Sequence, residues 1–162
     1  MLELGLAPAL LAGAAEARDV IVDAVLAGDG SRSEGGGFVV LEELPTVLAR
    51  GRVPLAVVAE HQACRGAAER AFAALPPPPS NACVVASFLP AALSGALHRS
   101  SWSGVRLCRL SAALGQHEAI GATALAVAVA EVASGAAEQV LVVTGDVDTV
   151  YLTRLLRYEV KG

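Results

Sequence analysis

Short apolar runs alternate with segments of helical spacing along most of this 162-residue chain. Each run has the length and the aliphatic content of a strand. The runs are FVVLEEL from Phe38, LAVVAE, ACVVAS, VRLCRL and QVLVVTG, and a last apolar run is TVYLTRLLR. Helices are predicted between them, over PTVLARG, CRGAAERAFAAL and ALSGALH. Strands that alternate with helices predict an α/β fold with a mixed sheet.

Prolines and glycines divide these elements. Pro45 opens a short helix that Gly51 ends, and the four prolines of Pro76–Pro79 end a second helix. A strand begins directly after these prolines, so we interpret them as a stiff link and not as a domain boundary. The chain is therefore predicted to be one domain over 1–162. It comprises an N-terminal helix and glycine-rich turn over 1–33, with the helix at Ala7 to Leu26, and a core over 34–162.

The segment SAALGQHEAIGATALAVAVAEVASG, from Ser111 to Gly135, predicts an unusual helix. No charged residue follows Glu118 until Glu131. A helix that is apolar all round is buried on every side. We therefore expect it to lie in a middle layer between two sheets or at a tight interface.

Composition limits the partners and the location of the protein. The sequence is 54% hydrophobic and 17% charged, so a large internal layer or a partner surface must absorb the apolar excess. A net charge of -4 argues against nucleic acid. Glu131 interrupts the longest apolar stretch, and Glu3 stands where a signal peptide carries positive charge. We expect no membrane span, and a cytoplasmic location.

Neither the cysteines nor the histidines form a recognisable metal or disulfide pattern. The cysteines are odd in number and form no CxxC pair. Cys83 and Cys108 are predicted to be small core residues. Cys64 is either a structural residue of the same kind or an activated thiol. His61 and His98 lack a companion at metal spacing and are predicted at the surface. No metal and no cofactor are expected.

Two further features leave alternatives open. Asp146 and Asp148 fit either a cation site or a solvated turn. Trp102 lies in a polar stretch and fits either an exposed contact surface or a lid over the sheet.

Two stretches resemble β-ketoacyl synthases, the condensing enzymes of the thiolase-like fold. EGGGFVVLEELPTVLARGRVPLAVV, from Glu34 to Val58, resembles the family's glycine turn, strand, short helix and next strand. LGQHEAIGATALAVAVAEVASG resembles a region of the family's C-terminal half, and NACVVASFLPAALSGAL falls between the two. The resemblance implies a thiolase-like layered half-domain, similar to a truncated C-terminal half.

The positions that carry chemistry in that family are altered here. The resemblance places the first catalytic histidine near Ser87 and the second on Gln116, with His117 displaced by one position. The family's glycine-rich turn falls near Gly145, and its nucleophilic cysteine motif is absent. Gln116 cannot take a proton at neutral pH. We therefore predict no catalytic residues, and treat enzymatic activity as uncertain.

These losses lead to a functional hypothesis. The chain is predicted to be a non-catalytic subunit, similar to a chain-length factor, in type II polyketide or fatty-acid-like biosynthesis. It would pair with an active ketosynthase as a hetero-oligomer, shape the interface and acyl tunnel, and meet an acyl carrier protein. Two alternatives are half of a split condensing enzyme that uses His117, and a free-standing α/β module that binds an acyl or other small ligand.

Overall fold

The computed structural model describes residues 39–66, 68–114, 120–145 and 148–159. In chain order the elements are α1 (Leu44–Ala49), β1 (Val57–Arg65), α2 (Ala68–Ala73), β2 (Ala82–Ala86), α3 (Ala91–His98), β3 (Arg106–Arg109), α4 (Leu110–Leu114), α5 (Ile120–Ala133), β4 (Gln139–Gly145) and β5 (Thr149–Leu156). The predicted N-terminal helix at Ala7 to Leu26 and its glycine turn lie outside the described residues.

The five strands form one mixed sheet in the order β1-β5-β4-β2-β3. β2 is parallel to both β3 and β4, whereas β5 is antiparallel to both β4 and β1. The prediction of an α/β fold with a mixed sheet is confirmed. Of the helices described here, none has the length and the apolar content that crossing a membrane requires.

Helices cover both faces of this sheet, which explains why β4 is apolar without interruption from Val140 to Val143. Val140 and Val142 point to the face covered by α5, and Leu141 points to the opposite face, beside α2 and α3. Successive side chains of a strand point to opposite faces, so a strand with two dry faces is apolar without alternation. The two resulting cores bury much of the apolar excess within the chain.

Helix α5 is buried along one face. Ala124, Ala128 and Val132 recur at helical spacing and are fully buried against the sheet. Leu125 is half-buried and Ala133 is exposed. The expectation of burial on every side is therefore wrong for this helix. The described residues form one sheet, so the expected middle layer between two sheets is not confirmed.

Several element boundaries differ from the prediction because of pairing between distant strands. Residues 39–42 are not in a strand, although FVVLEEL predicted one. β1 continues through Cys64 and Arg65, where a helix was predicted, because these residues pair with Val150 and Thr149 of β5. The helical pattern of this stretch is realised only from Ala68 onward.

Trp102 acts as a lid over the sheet. Its side chain is 1% exposed and packs in the core beside α2 and α3. The indole Nε1–H donates a hydrogen bond of 3.0 Å to the carbonyl oxygen of Pro76. This bond ties the tetraproline link to the core and decides between the two alternatives for Trp102.

Candidate functional site

Ser87, at the family's first histidine position, is buried at the C-terminal end of the interior strand β2. It directly follows β2 and is 2% exposed. Its backbone N–H donates to the carbonyl oxygen of Val143 at 3.0 Å, and its Oγ lies 3.4 Å from the same oxygen. The hydroxyl is thus turned into the fold, which gives Ser87 a structural role here.

Gly145 ends β4 and shapes the turn into β5. Its φ is +107°, and a Cβ placed there would lie 2.1 Å from the carbonyl oxygen of Thr149. Only glycine avoids that overlap. Gln116, His117 and Asp146 lie outside the described residues.

A groove lies elsewhere on the molecule, between α5 and the half of the sheet formed by β1, β5 and β4. Its volume is about 290 Å³. The helix side is apolar, whereas the polar side chains all come from the strands. The lining residues are Val39, Leu41, Val58, His61, Gly121, Ala122, Leu125, Val142, Thr144, Tyr151 and Thr153.

Three strands bring these polar side chains together because paired residues of neighbouring strands point to the same face. His61 of β1 pairs with Thr153 of β5, which pairs in turn with Val142 of β4. Tyr151 lies two residues along β5 on the same face and pairs with Thr144. The floor of the groove is therefore built on rigid sheet and not on a loop.

His61 is fixed by two neighbours. Its Nδ1 lies 2.9 Å from Thr153 Oγ1, at hydrogen-bonding distance. The rings of His61 and Tyr151 are nearly parallel, with planes at 15° and centroids 6.2 Å apart. Burial lowers the pKa of His61 below its usual value, because a charged imidazole loses hydration there. The ring is therefore neutral at pH 7.

Among the described residues, the lining carries no charged side chain. The nearest charges along β1 and β5 are Glu60 and Arg154, which pair with each other at 3.2 Å. The same described residues include no serine or cysteine that could act as a nucleophile. Such a groove is suited to binding an apolar group with a neutral polar end.

Comparisons with known proteins give one kind of match. No family model matches the chain, and no curated protein matches it. Among solved structures it is similar to a chain of the AntDE:AntF (apo) assembly, described as a type II polyketide synthase acyl carrier protein in complex with its ketosynthase bound to the hexaketide. The TM-score is 0.62 at 15% identity, over 75% of this chain. The match spans 38% of that chain's length, and at this identity it shows the fold alone.

This comparison contradicts the predicted function. The matched assembly is described by its acyl carrier protein and its ketosynthase, and its description includes no silent, chain-length-factor-like subunit. The prediction that this chain is such a partner subunit is wrong. The structure also removes one reason for that prediction, the apolar excess. Much of it packs inside the chain, on both faces of the sheet.

The cysteines behave as core residues in the ranges described. Cys83 is fully buried, and burial raises the pKa of its thiol to about 11. Cys108 is half-buried, and burial likewise raises its pKa. Cys64 packs partly against the core beside α2 and α3. Within the described ranges, no group of three or more His, Cys, Asp or Glu residues could hold a metal ion.

Sequence reasoning placed His61 at the surface and missed the groove. His61 is half-buried, whereas His98 is exposed as predicted. The contact between His61 and Thr153 joins residues 92 positions apart, which local spacing does not reveal. One signal was available: Tyr151 and Thr153 are polar positions on the same face of β5, and they alternate with the buried Val150 and Leu152.

Proposed function

We propose that this chain binds the acyl group of an acyl carrier protein in the groove between α5 and the sheet. The observation that supports this function is the groove itself, with its apolar lining and its neutral polar groups on the strand side. An acyl chain offers the matching surface, an apolar tail that ends in an uncharged thioester.

The size of the groove supports a small occupant. Its volume of about 290 Å³ is near the lower end of ordinary small-molecule sites. Val58, Leu125 and Val142 supply apolar contacts from three different elements. Burial of each methylene in such surroundings contributes about 0.8 kcal/mol. A short acyl chain therefore gains measurable affinity there.

The proposed partners are an acyl carrier protein, which would deliver the acyl group, and an active ketosynthase, which would act on it. The description of the structural neighbour, which names both proteins, supports this choice. The two stretches that resemble β-ketoacyl synthases also support a link to acyl-chain chemistry, and descent from that family stays a hypothesis.

The test uses a type II acyl carrier protein with and without an octanoyl group, titrated calorimetrically into the full chain. We expect the loaded carrier to bind at least about tenfold tighter than the unloaded one, because tenfold corresponds to about 1.4 kcal/mol, or two buried methylenes. Equal affinity for the loaded and unloaded carrier would overturn the proposed function.

A matched pair of variants locates the site. Ala122 lines the groove, whereas Ala133 is exposed near the other end of α5, about 16 Å along the helix axis. Ala122→Phe should fill the groove and remove the tenfold advantage of the loaded carrier. Ala133→Phe should retain it. Circular dichroism checks that both variants fold, and an unchanged advantage in Ala122→Phe would place binding elsewhere.

A further inference from the structure

Resting on that proposed function, we infer that the groove accepts neutral acyl derivatives, such as thioesters and amides, and discriminates against free carboxylates. The His61–Thr153 pair would hold the polar end of the ligand. The groove would thereby separate carrier-bound acyl groups from the free acids that their hydrolysis releases.

The described residues of the groove offer no counter-charge to a carboxylate. No Lys or Arg of the described ranges lines the groove, and the nearby guanidinium of Arg154 is paired with Glu60. A carboxylate that enters an apolar groove loses its hydration and needs a positive partner in return. A thioester or amide carbonyl needs a single hydrogen-bond donor, which is a much smaller demand.

The His61–Thr153 pair can form one further hydrogen bond to a ligand. The bond between Nδ1 and Thr153 Oγ1 fixes the ring and leaves Nε2 without a hydrogen-bond partner among the described residues. When the Thr153 hydroxyl donates to Nδ1, Nε2 carries the proton and donates to a carbonyl oxygen. When Nδ1 donates instead, Nε2 accepts, which suits an amide N–H.

The surroundings of His61 keep the pair neutral. Tyr151 is the aromatic side chain stacked against the ring, and it brings no cationic group to the pair. Burial opposes protonation of His61 itself. An imidazolium that could attract a carboxylate is therefore disfavoured at pH 8.

The test compares two ligands of nearly the same shape that differ in charge. Octanamide and octanoate are titrated into the full chain at pH 8, with S-octanoyl-N-acetylcysteamine as a thioester probe. We expect the amide and the thioester to bind at least about tenfold tighter than octanoate, because only octanoate brings an unpaired charge. Equal binding of octanamide and octanoate would overturn this inference and leave the proposed function standing. Failure of all three probes would overturn the proposed function too.

Charge insertion gives the second readout. Ala122→Lys places an ammonium group at the groove, and it should raise octanoate affinity until the preference for octanamide falls to about threefold or less. Ala133→Lys, at the exposed end of the same helix, adds the same net charge and should leave the preference unchanged. An equal preference for octanamide over octanoate in the two variants would contradict the inference that a charge at this groove controls the discrimination.

Discussion

At the scale of single residues, Gly145 combines a special backbone conformation with a close contact. Its φ of +107° and the 2.1 Å approach of a Cβ to the carbonyl oxygen of Thr149 exclude any side chain without movement of the turn. Gly145→Ala should therefore lower the free energy of unfolding by about 1–3 kcal/mol. Urea denaturation followed by circular dichroism measures the change.

Gly104→Ala is the control for that experiment. Gly104 lies in a turn before β3, and a Cβ there would have nothing within 4 Å. The substitution should change stability by no more than about 0.5 kcal/mol. Equal losses in the two variants would show that removal of glycine flexibility, and not the contact with Thr149, sets the effect.

The chemistry of individual residues was only partly predictable from the sequence. The alternatives for Trp102 could not be separated, because the acceptor for its indole N–H is a carbonyl 26 positions earlier in the chain. His61 has no sequence neighbour that suggests burial, and its partners come from β5. Cys83 was predictable as a core residue because it stands inside an apolar strand.

At the scale of elements, α5 separates a face packed on the sheet from a face that is not. Ala128 is fully buried on the packed face, where small side chains let the helix approach the strands closely. Ala128→Leu should overpack this contact and lower the free energy of unfolding by about 1–3 kcal/mol. Thermal denaturation checks this result.

Ala133→Leu adds the same atoms to the same helix at an exposed position. Its free energy of unfolding should remain within about 0.5 kcal/mol of the original. A loss in Ala133→Leu as large as that in Ala128→Leu would mean that the helix end is packed as tightly as its centre, contrary to the structure.

Elements with two dry faces were the most predictable ones. The run QVLVVTG coincides with β4, because continuous burial leaves an unbroken apolar signal. The edge strand β1 was predicted too short, since its second half is only partly buried and its sequence fits a helix as well. Pairing with β5 makes this second half a strand, and local periodicity does not predict which strands pair.

At the scale of the whole molecule, Cys83 reports on global opening. It lies in β2 between β4 and β3, fully buried, with its pKa raised to about 11 by burial. Little thiolate forms at pH 8, and none of it is accessible in the folded state. Labelling of Cys83 by a thiol reagent at pH 8 should therefore proceed only through global unfolding, and mass spectrometry of digested protein follows it.

Cys64, half-buried on the edge strand β1, provides the comparison within the same sample. It should be labelled before Cys83, because fraying of an edge strand is easier than opening of the sheet centre. Labelling of Cys83 at the same rate in native conditions as in urea would show that the sheet centre opens freely, contrary to the packing described here.

The α/β class and the chain order of β1 to β5 follow from the chain's periodicity, although residues 39–42 are not in the strand predicted there. The groove does not follow from it. The groove forms where α5, three strands and the segment at Val39 and Leu41 lie next to one another. No local sequence pattern predicts that these distant segments become neighbours. Of the altered positions that the resemblance singled out, Ser87 joins the end of β2 to β4, and Gly145 shapes the β4–β5 turn.

The pairing of β1 with β5 also sets an order of events during protein synthesis. β1 leaves the ribosome early, but its neighbour in the described sheet is β5 alone. Contacts such as that between His61 and Thr153 can form only after 92 further residues have been synthesised. Until then both edges of β1 are unpaired, and an unpaired strand is a template for association with other chains. Chaperone demand should therefore be greatest for nascent chains that end just before β5, and fall once that strand emerges.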